Sequence, residues 1–230
     1  MKNKTCLFIY SFSIIAALLL IISGCKKNAG KYNTVTDIDG NAYHTVAIGK
    51  QVWLVENLKV TRYRNGDQIP NVSDNKQWCN LTTGAYCNYN NDANNVTTYG
   101  RLYNWYAVHD IRNIAPKGWH VATDVEWKIL TDYLGGETIA GGKLKETGTT
   151  LWQYPNKDAE NKYGFSALPG GGRFSYGSYS YIRYIGLWWS ATEVYTFSAW
   201  LRYFSYYYSD AYSYIGSKGE GLSVRCIKDK

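Results

Sequence analysis

Histidine, methionine and clustered positive charge are all scarce in this chain. Three histidines and one methionine occur in 230 residues. His44, His109 and His120 have no metal-ligand spacing among themselves or with cysteine, which removes the usual zinc arrangements. His109 fits a helix face and His120 follows Trp119, so both read as structural. No Gly-x-Ser-x-Gly elbow, P-loop or zincin motif is present. Gly170-Gly-Gly172 precedes no helix bearing Lys, Ser or Thr, so it reads as a turn or close-packing signal, not a phosphate cradle. The formal charge is +7, but lysine and arginine nowhere form the cluster that tracks a phosphate backbone. Nucleic acid is therefore not an expected partner.

Aromatic residues are abundant instead, at 17% of the chain, with 23 tyrosines and nine tryptophans. The segment 173–217 holds 11 of those tyrosines and nine serines; Glu193 is its one glutamate, and it has no Lys, Gln or Met. Tyrosine offers a large amphipathic ring with two χ angles to freeze, and Ser and Gly add adaptable polar contacts. This composition points to recognition without a reacting group. Tyrosine is also a good strand former, so a β-rich domain packed through its aromatics would show the same bias.

The N-terminus reads as an export signal. Lys2 and Lys4 precede an apolar run over 7–22, followed by Ile22-Ser23-Gly24-Cys25. The run has the length of a signal h-region and is short for a full membrane span. Ile-Ser-Gly-Cys has the pattern of a bacterial lipobox, which makes 1–24 a lipoprotein signal peptide, Cys25 the lipidated residue and 25–33 a short tether. Removing the leader takes away two lysines and no acid, so the charge falls from +7 to +5. With no Asp after Cys25, the expected destination is the outer membrane, at the cell surface or the periplasmic face. Three lysines (26, 27 and 31) beside the anchor favour anionic headgroups. Three cysteines remain, and Cys79 with Cys87 or Cys87 with Cys226 are both permitted pairings.

About 200 residues beyond the leader suit one domain, 34–230. Residues 42–48 and 51–56 flank Gly49-Lys50 and predict a β-hairpin. Residues 64–98, rich in Asn, Asp, Thr and Gly, read as long loops. Leu102, Trp105, Tyr106 and His109 fall at i, i+3, i+4, i+7 and predict a first helix. Thr123-Asp-Val-Glu126 is a capping box that opens a second helix, ending at Gly135-Gly136. Beyond it the chain is glycine-rich and strand-like, with 188–192, 199–208 and 222–227 the best strands. A hairpin, two helices and then short antiparallel strands with long loops make an α+β domain.

Seven motifs then line up in order: Asp37-Ile-Asp-Gly-Asn41, Ile48-Gly-Lys-Gln-Val-Trp-Leu-Val-Glu-Asn57, Tyr99-Gly-Arg-Leu-Tyr-Asn-Trp-Tyr-Ala107, Pro116-Lys-Gly-Trp-His-Val121, Leu168-Pro-Gly-Gly-Gly172, Trp188-Trp-Ser-Ala-Thr-Glu193 and Ser223-Val-Arg-Cys226. Together they closely resemble the Fibrobacter succinogenes major paralogous domain family, from about Val35 to the end. The resemblance implies a C-type-lectin-like fold, related in outline to the sulfatase-modifying group, and no settled activity. The sulfatase-modifying relatives use a reactive cysteine pair; here only Cys226 falls near a comparable region, so that activity is not supported. Many relatives carry a cysteine before Pro-x-Gly-Trp-His, placed to bridge the terminal Val-Arg-Cys; here Ala115 takes its place. Some members look like targets of diversity-generating retroelements, which recode AAC codons to any NNC codon. Such codons never encode Lys, Glu, Gln, Met or Trp. Residues 173–187 and 194–217 obey that restriction apart from Trp200, while Trp188, Trp189, Glu193 and Lys218 lie outside it.

The expected function is therefore that of an exported, non-catalytic ligand-binding lipoprotein with a Tyr/Ser-rich surface, diversified on the family reading. The alternative is a fixed carbohydrate-binding or cell-envelope lipoprotein. In the strand over 199–208 alternate residues face opposite ways. Trp200, Arg202, Phe204 and Tyr206 are assigned inward, and Leu201, Tyr203, Ser205 and Tyr207 outward. Tyr208, Asp210, Tyr212 and Tyr214 are placed in a following loop. Phe174, Tyr176, Tyr181, Arg183, Tyr184 and Leu187 form an earlier patch, with Tyr195 and Phe197 between. The partner is an unknown surface ligand, protein or glycan, with the membrane engaged through the lipid on Cys25. No cofactor is expected. Calcium is the one metal with donors to offer, in Asp37-Ile-Asp39-Gly-Asn41 and in the Asn-rich run 88–95, but the first falls short of an EF-hand loop and the second reads as turn sequence.

Overall fold

The structure is a computed structural model that describes residues 33–230. The signal peptide, Cys25 and the tether up to residue 32 lie outside the described residues.

Twelve strands follow in chain order: β1 (Thr34–Thr36), β2 (Ala42–Ile48), β3 (Gln51–Leu54), β4 (Tyr86–Cys87), β5 (Leu102–Tyr103), β6 (Trp119–Val121), β7 (Gly170–Arg173), β8 (Tyr179–Ile182), β9 (Ile185–Tyr195), β10 (Ser198–Ser205), β11 (Tyr212–Ser217) and β12 (Cys226–Lys228). The helices are α1 (Asn75–Cys79), α2 (Asn94–Tyr99), α3 (Trp105–Val108), α4 (Asp124–Tyr133) and α5 (Glu137–Leu144). The first sheet has the order β1-β2-β3-β12-β6, the second β11-β10-β9-β7-β8, and β4 pairs with β5. The β7–β9 pair is parallel, through Gly171 and Gly186, and the other strand pairs are antiparallel.

This overturns the α+β, C-type-lectin-like expectation. The described chain is mostly β, built on two five-stranded sheets, and the longest helix among the described residues has ten residues. The helix predicted from Leu102 to His109 is the main reason for the error. Leu102 and Tyr103 pair with Cys87 and Tyr86, and only Trp105–Val108 is helical. The helical spacing does not mark one buried face: of its four positions Leu102 and Trp105 are buried, Tyr106 is partly buried and His109 is exposed. Leu102, Trp105 and Ala107 are buried, and the Trp105 indole N–H donates to Ser190 O (2.9 Å).

Other local signals hold. Ile48 pairs with Gln51 across Gly49-Lys50, with Gly49 at φ +60°, a left-handed turn that glycine adopts without steric cost. The Thr123 hydroxyl accepts from the Glu126 N–H, and Glu126 accepts from the Thr123 N–H, so the capping box is closed. Helix α5 was not legible, because Gly141 and Gly142 lower helix propensity. Here they allow close approach. A Cβ on Gly141 would sit 1.9 Å from Asp210 O, and one on Gly142 2.6 Å from Asp158 O.

Three buried clusters fill the interior, the smallest around Trp78, Cys87, Tyr89 and Leu102. Of the two larger, one gathers Tyr43, Leu54, Tyr103, Trp105, Trp119, Trp189 and Leu201. The other gathers Trp53, Trp127, Trp152, Phe165, Trp188 and Phe204 around α4. Three arginines are among the largest fully buried side chains. Arg225 donates to Asn57 Oδ1 (2.7 Å) and to the carbonyls of Leu54, Phe165 and Ser166. Arg173 donates to the carbonyls of Val72, Ser73 and Gly177, stacked between Trp78 and Tyr179. Arg202 reaches Asp124 (2.6 Å). A buried guanidinium is costly unless its donors are met; Arg225 and Arg173 direct theirs mainly to loop carbonyls, whereas Arg202 holds the first turn of α4 and keeps Nε without a partner.

Candidate ligand-binding surface

Residues 173–217 supply the second sheet from the end of β7 to β11. Trp188 and Trp189 are adjacent in β9 and therefore point to opposite faces. The Trp188 indole N–H donates to Asn57 Oδ1 (2.8 Å), and that of Trp189 to Tyr103 O (2.9 Å). Each tryptophan ties one face of the sheet to one buried cluster.

On the face that carries Trp189, two cross-strand rows run over the sheet. Leu187 pairs with Tyr203, which pairs with Tyr212; Trp189 pairs with Leu201, which pairs with Tyr214. Gly216, opposite Ala199, leaves the next row open. The result is a concavity of about 290 Å³ lined by Phe174, Tyr181, Leu187, Leu201, Tyr203, Tyr214 and Glu220, among others. Its rings touch: Tyr203 and Tyr214 lie 5.3 Å apart, and Phe174 and Tyr181 meet edge-on at 5.9 Å. Tyr176 stacks on Phe174 at 5.1 Å and is exposed.

Six residues predicted from the sequence thus converge on one hollow. Tyr176 and Tyr212 adjoin it, and most of the other exposed ones form two separate outposts. Tyr184, Tyr206, Tyr207 and Tyr208 make a chain of edge-on contacts at 5.2 to 5.8 Å, with exposed Arg183 beside them in the β8–β9 turn. Tyr195 and Phe197, 69% and 77% exposed, cap the β9–β10 turn at the far end of the sheet. Strand β9 has 11 residues, about 35 Å at roughly 3.3 Å each, so one small ligand cannot touch both outposts.

Several assignments are corrected. Leu201 is 5% exposed because it packs into the first buried cluster, and it only floors the hollow. Ser205 is buried; its hydroxyl accepts from the Tyr207 N–H and its carbonyl from Lys145 Nζ (2.8 Å). Asp210 is buried where its loop presses on Gly141, and burial raises its carboxyl pKa. Tyr212 and Tyr214 sit on β11, not in a loop, because β10 ends at Ser205 and the chain returns as its partner. Trp200 and Tyr206, assigned inward, are only partly buried.

Glu220 was missed. It follows the Tyr/Ser-rich segment, in the turn after β11, where a lone carboxylate stands between Gly219 and Gly221. Burial lifts its pKa to about 7. Nearby, Lys218 is buried and bonds Glu193 and the Thr196 carbonyl (2.8 Å), which pins the β9–β10 turn.

A second concavity, of about 460 Å³, is lined by Trp105, Tyr106, His109, Asp110 and Arg112. Its groups are engaged with one another: Arg112 pairs with Asp110 and Asp67, and His109 stacks on Trp105 at 4.4 Å. Among the described residues no group of three His, Cys, Asp or Glu could hold a metal ion. Asp37 accepts from the Asp39 and Asn41 N–H groups and the Tyr43 hydroxyl, while Asp39 accepts from Thr61 and Arg62. Asn90 and Asn91 adopt positive φ, as turn residues do. Cys79, Cys87 and Cys226 are all free thiols, so neither permitted pairing is formed. No helix among the described residues is long and apolar enough to cross a membrane.

The profile of the Fibrobacter succinogenes major domain matches residues 46–228, most of the chain. The chain belongs to that family. Neither the curated proteins nor the solved structures gave a match. Within this Fibrobacter succinogenes major domain, the ordered motifs are chiefly structural. Asn57, Trp188, Trp189, Ser223 and Arg225 join the sheets to one another, and Gly171 approaches Ser180 O too closely for a Cβ (2.4 Å).

Proposed function

We propose that this protein is an exported, lipid-anchored recognition protein that binds a partner through the tyrosine-rich outer surface of its second sheet and does no chemistry on it. One observation carries the reading. Of the 17 exposed large hydrophobic side chains among the described residues, ten lie in 173–217, and nine of those are Tyr or Phe. Scattered exposed apolar residues are ordinary, whereas a concentration on one sheet is the mark of an interaction surface.

The diversified form of this reading has its own support. The residue types that an NNC codon cannot encode are the ones that hold the sheet: Trp188 and Trp189 are buried, and Glu193 pairs with Lys218. Apart from Glu193 and the partly buried Trp200, the exposed and half-exposed positions of 173–217 carry types that it can encode. Sequencing codons 170–230 across a cell population, with the flanking DNA, tests this. Changes at template adenines beside a near-repeat and a reverse transcriptase are expected. An invariant segment with no template nearby removes diversification and leaves a fixed receptor.

Binding itself is tested on protein and glycan arrays, comparing the wild-type chain with one carrying Tyr195, Phe197, Tyr207 and Tyr208 all changed to Ser. Selective partners lost in the variant, at unchanged circular dichroism, are expected. Blank arrays for both proteins would sink the reading. Palmitate labelling that disappears in Cys25→Ser is the expected sign of the anchor.

A further inference from the structure

Most partly buried acids near this fold's loops have a cation beside them, and Asp210, which makes no ion pair, is shut away against Gly141 and not in a hollow. Asp39 has Arg62, Asp110 has Arg112, Asp124 has Arg202, Glu126 has His120 and Glu193 has Lys218. Asp37, without a cation, accepts four hydrogen bonds. Glu220 makes no ion pair with any described residue, yet it lines the aromatic hollow. Gly216 keeps that position open, since a Cβ there would come 2.9 Å from Glu220 Oε2. Its hydrogen-bond partner is the Ser217 backbone, which supplies no positive charge. Carboxylates removed from water are normally paired with a cation as well as hydrogen-bonded, so one on an aromatic wall without a cation marks a place for a cation from outside. Aromatic faces attract the same kind of group, since their quadrupole favours ammonium and guanidinium.

We infer that the hollow bounded by Phe174, Tyr181, Leu187, Tyr203, Tyr214 and Glu220 receives a basic side chain, lysine or arginine, of a protein partner. The aliphatic stem lies against Leu187 and the rings, and the charged head meets Glu220. A volume of about 290 Å³ is at the small end of ligand sites, which suits one long side chain. Exposed Tyr176 and Tyr212 continue the surface beyond the rim, as a protein partner would need and a free amine would not. This inference rests on the recognition role proposed above and names the chemistry of its central contact.

The other groups that face Glu220 do not supply the charge. Tyr181, Tyr203 and Tyr214 line the hollow as phenols, and burial raises the Tyr203 pKa further. Arg173 borders a narrow extension of the hollow, but its guanidinium is committed to three carbonyls and Asn75. Lys218 is held by Glu193 and Thr196. With a Glu220 pKa of about 7, cation binding near pH 7 expels a proton.

The test is calorimetric titration of the full-length chain in detergent micelles with N-acetyl-lysine, N-acetyl-arginine and N-acetyl-norleucine methylamides. At pH 8 the two basic probes are expected to bind at least ten-fold more tightly than norleucine. At pH 6.5, heats measured in two buffers should show proton release. Glu220→Gln should bring the basic probes to the norleucine level and leave norleucine unchanged. Tyr181→Leu, which keeps an apolar wall, should weaken the basic probes several-fold and spare norleucine. Equal binding of all three probes to the wild type, or none, overturns the inference. The recognition role survives that result if array partners are still lost on changing the outer tyrosines, and falls separately if the arrays are blank.

Discussion

The two five-stranded sheets use the same aromatic residues in opposite ways. On the strands outside the second sheet tyrosines are internal: the hydroxyl of Tyr43, on β2 of the first sheet, donates to Asp37 (2.6 Å) and that of Tyr103, on β5, to Val60 O (2.7 Å), both beneath the surface. In the second sheet the tryptophans of β9 go inward, and most tyrosines around them go out. Eight of the nine tryptophans are buried, so the division is by residue type as well as by sheet. Indole has one donor, easily met by a carbonyl, and a large apolar body, which makes it suited to the interior. Tyrosine at the surface keeps its hydroxyl in water and presents its ring. The second sheet is thus held by tryptophan and displays tyrosine.

The largest effect is expected where the two sheets are joined. Asn57 accepts from Trp188 Nε1 of the second sheet and from Arg225 Nε just before β12 of the first, and donates to Tyr99 O and Ser223 Oγ. Asn57→Ala leaves a buried guanidinium short of an acceptor. It should cost about 3–5 kcal/mol, the range for breaking a buried charged network, measured by urea unfolding. A cost below about 1 kcal/mol would mean that the sheets are not coupled through this residue.

Much of this division was legible, and the reasons differ by element. The hairpin at Gly49 and the capping box at Thr123 are local, so a few neighbouring residues specify them. The Tyr/Ser-rich segment announced a surface by composition alone. The fold class was misread because Leu102–His109 satisfied a helical period while a strand pairing from Tyr86–Cys87 claimed its first residues. The faces of β10 were only half legible. Alternation separates Leu201 from Arg202 correctly, but both sides of this inner strand are covered, so neither is simply outside. Glu220 carried no compositional signal, because its role depends on Gly216 and on strands far away in sequence.

The hollow in the second sheet should respond to pH in the opposite sense to a carboxylate held by a cation. Burial raises the Glu220 pKa from 4.5 to about 7. The group is therefore harmless below about pH 4.5, and its ionisation erodes stability as pH rises through 7. Glu220→Gln should be more stable than wild type by about 1–3 kcal/mol at pH 8, after allowing for its partial exposure, with the gap closing toward pH 5. In the first sheet the pKa of His120 on β6 is raised as well, but there the charged form is the one favoured. Burial opposes its charge, but the hydrogen bonds that the ring donates to Asp229 and Glu126 outweigh it and raise the pKa above 6.5. Its contribution is complete below pH 6.5 and is lost as pH rises through the folded value. His120→Gln should cost about 1 kcal/mol at pH 5.5 and less at pH 8. Thermal melts of the two variants at both pH values check the signs: a Glu220→Gln chain less stable than wild type at pH 8, or a His120→Gln chain more stable than wild type at pH 5.5, would break the comparison.

A smaller gain is expected at the β8–β9 turn, where Arg183 holds φ +72°. A left-handed backbone costs an L-residue about 1–2 kcal/mol, partly offset in glycine by its unfolded-state entropy. Arg183→Gly should stabilise by about 0.5 kcal/mol, read as a small rise in Tm. A loss instead would show that its long contact with Thr149 O (3.4 Å) outweighs the strain.

The smallest stability effects should come from the most conspicuous residues. Tyr195, Phe197 and Tyr207 are all more than half exposed. Each changed to Ser should alter stability by less than about 0.5 kcal/mol, as surface substitutions away from caps and strained turns do. Tyr203, partly buried and packed on Tyr214, should cost about 1–2 kcal/mol on changing to Ala, because ring contacts and buried area are both lost. Urea midpoints for the four variants test the split. If the exposed rings cost as much as Tyr203, they are core residues by another route, and the display role of the second sheet fails. If they cost nothing, their concentration on one sheet is unexplained by folding and is left for binding to explain.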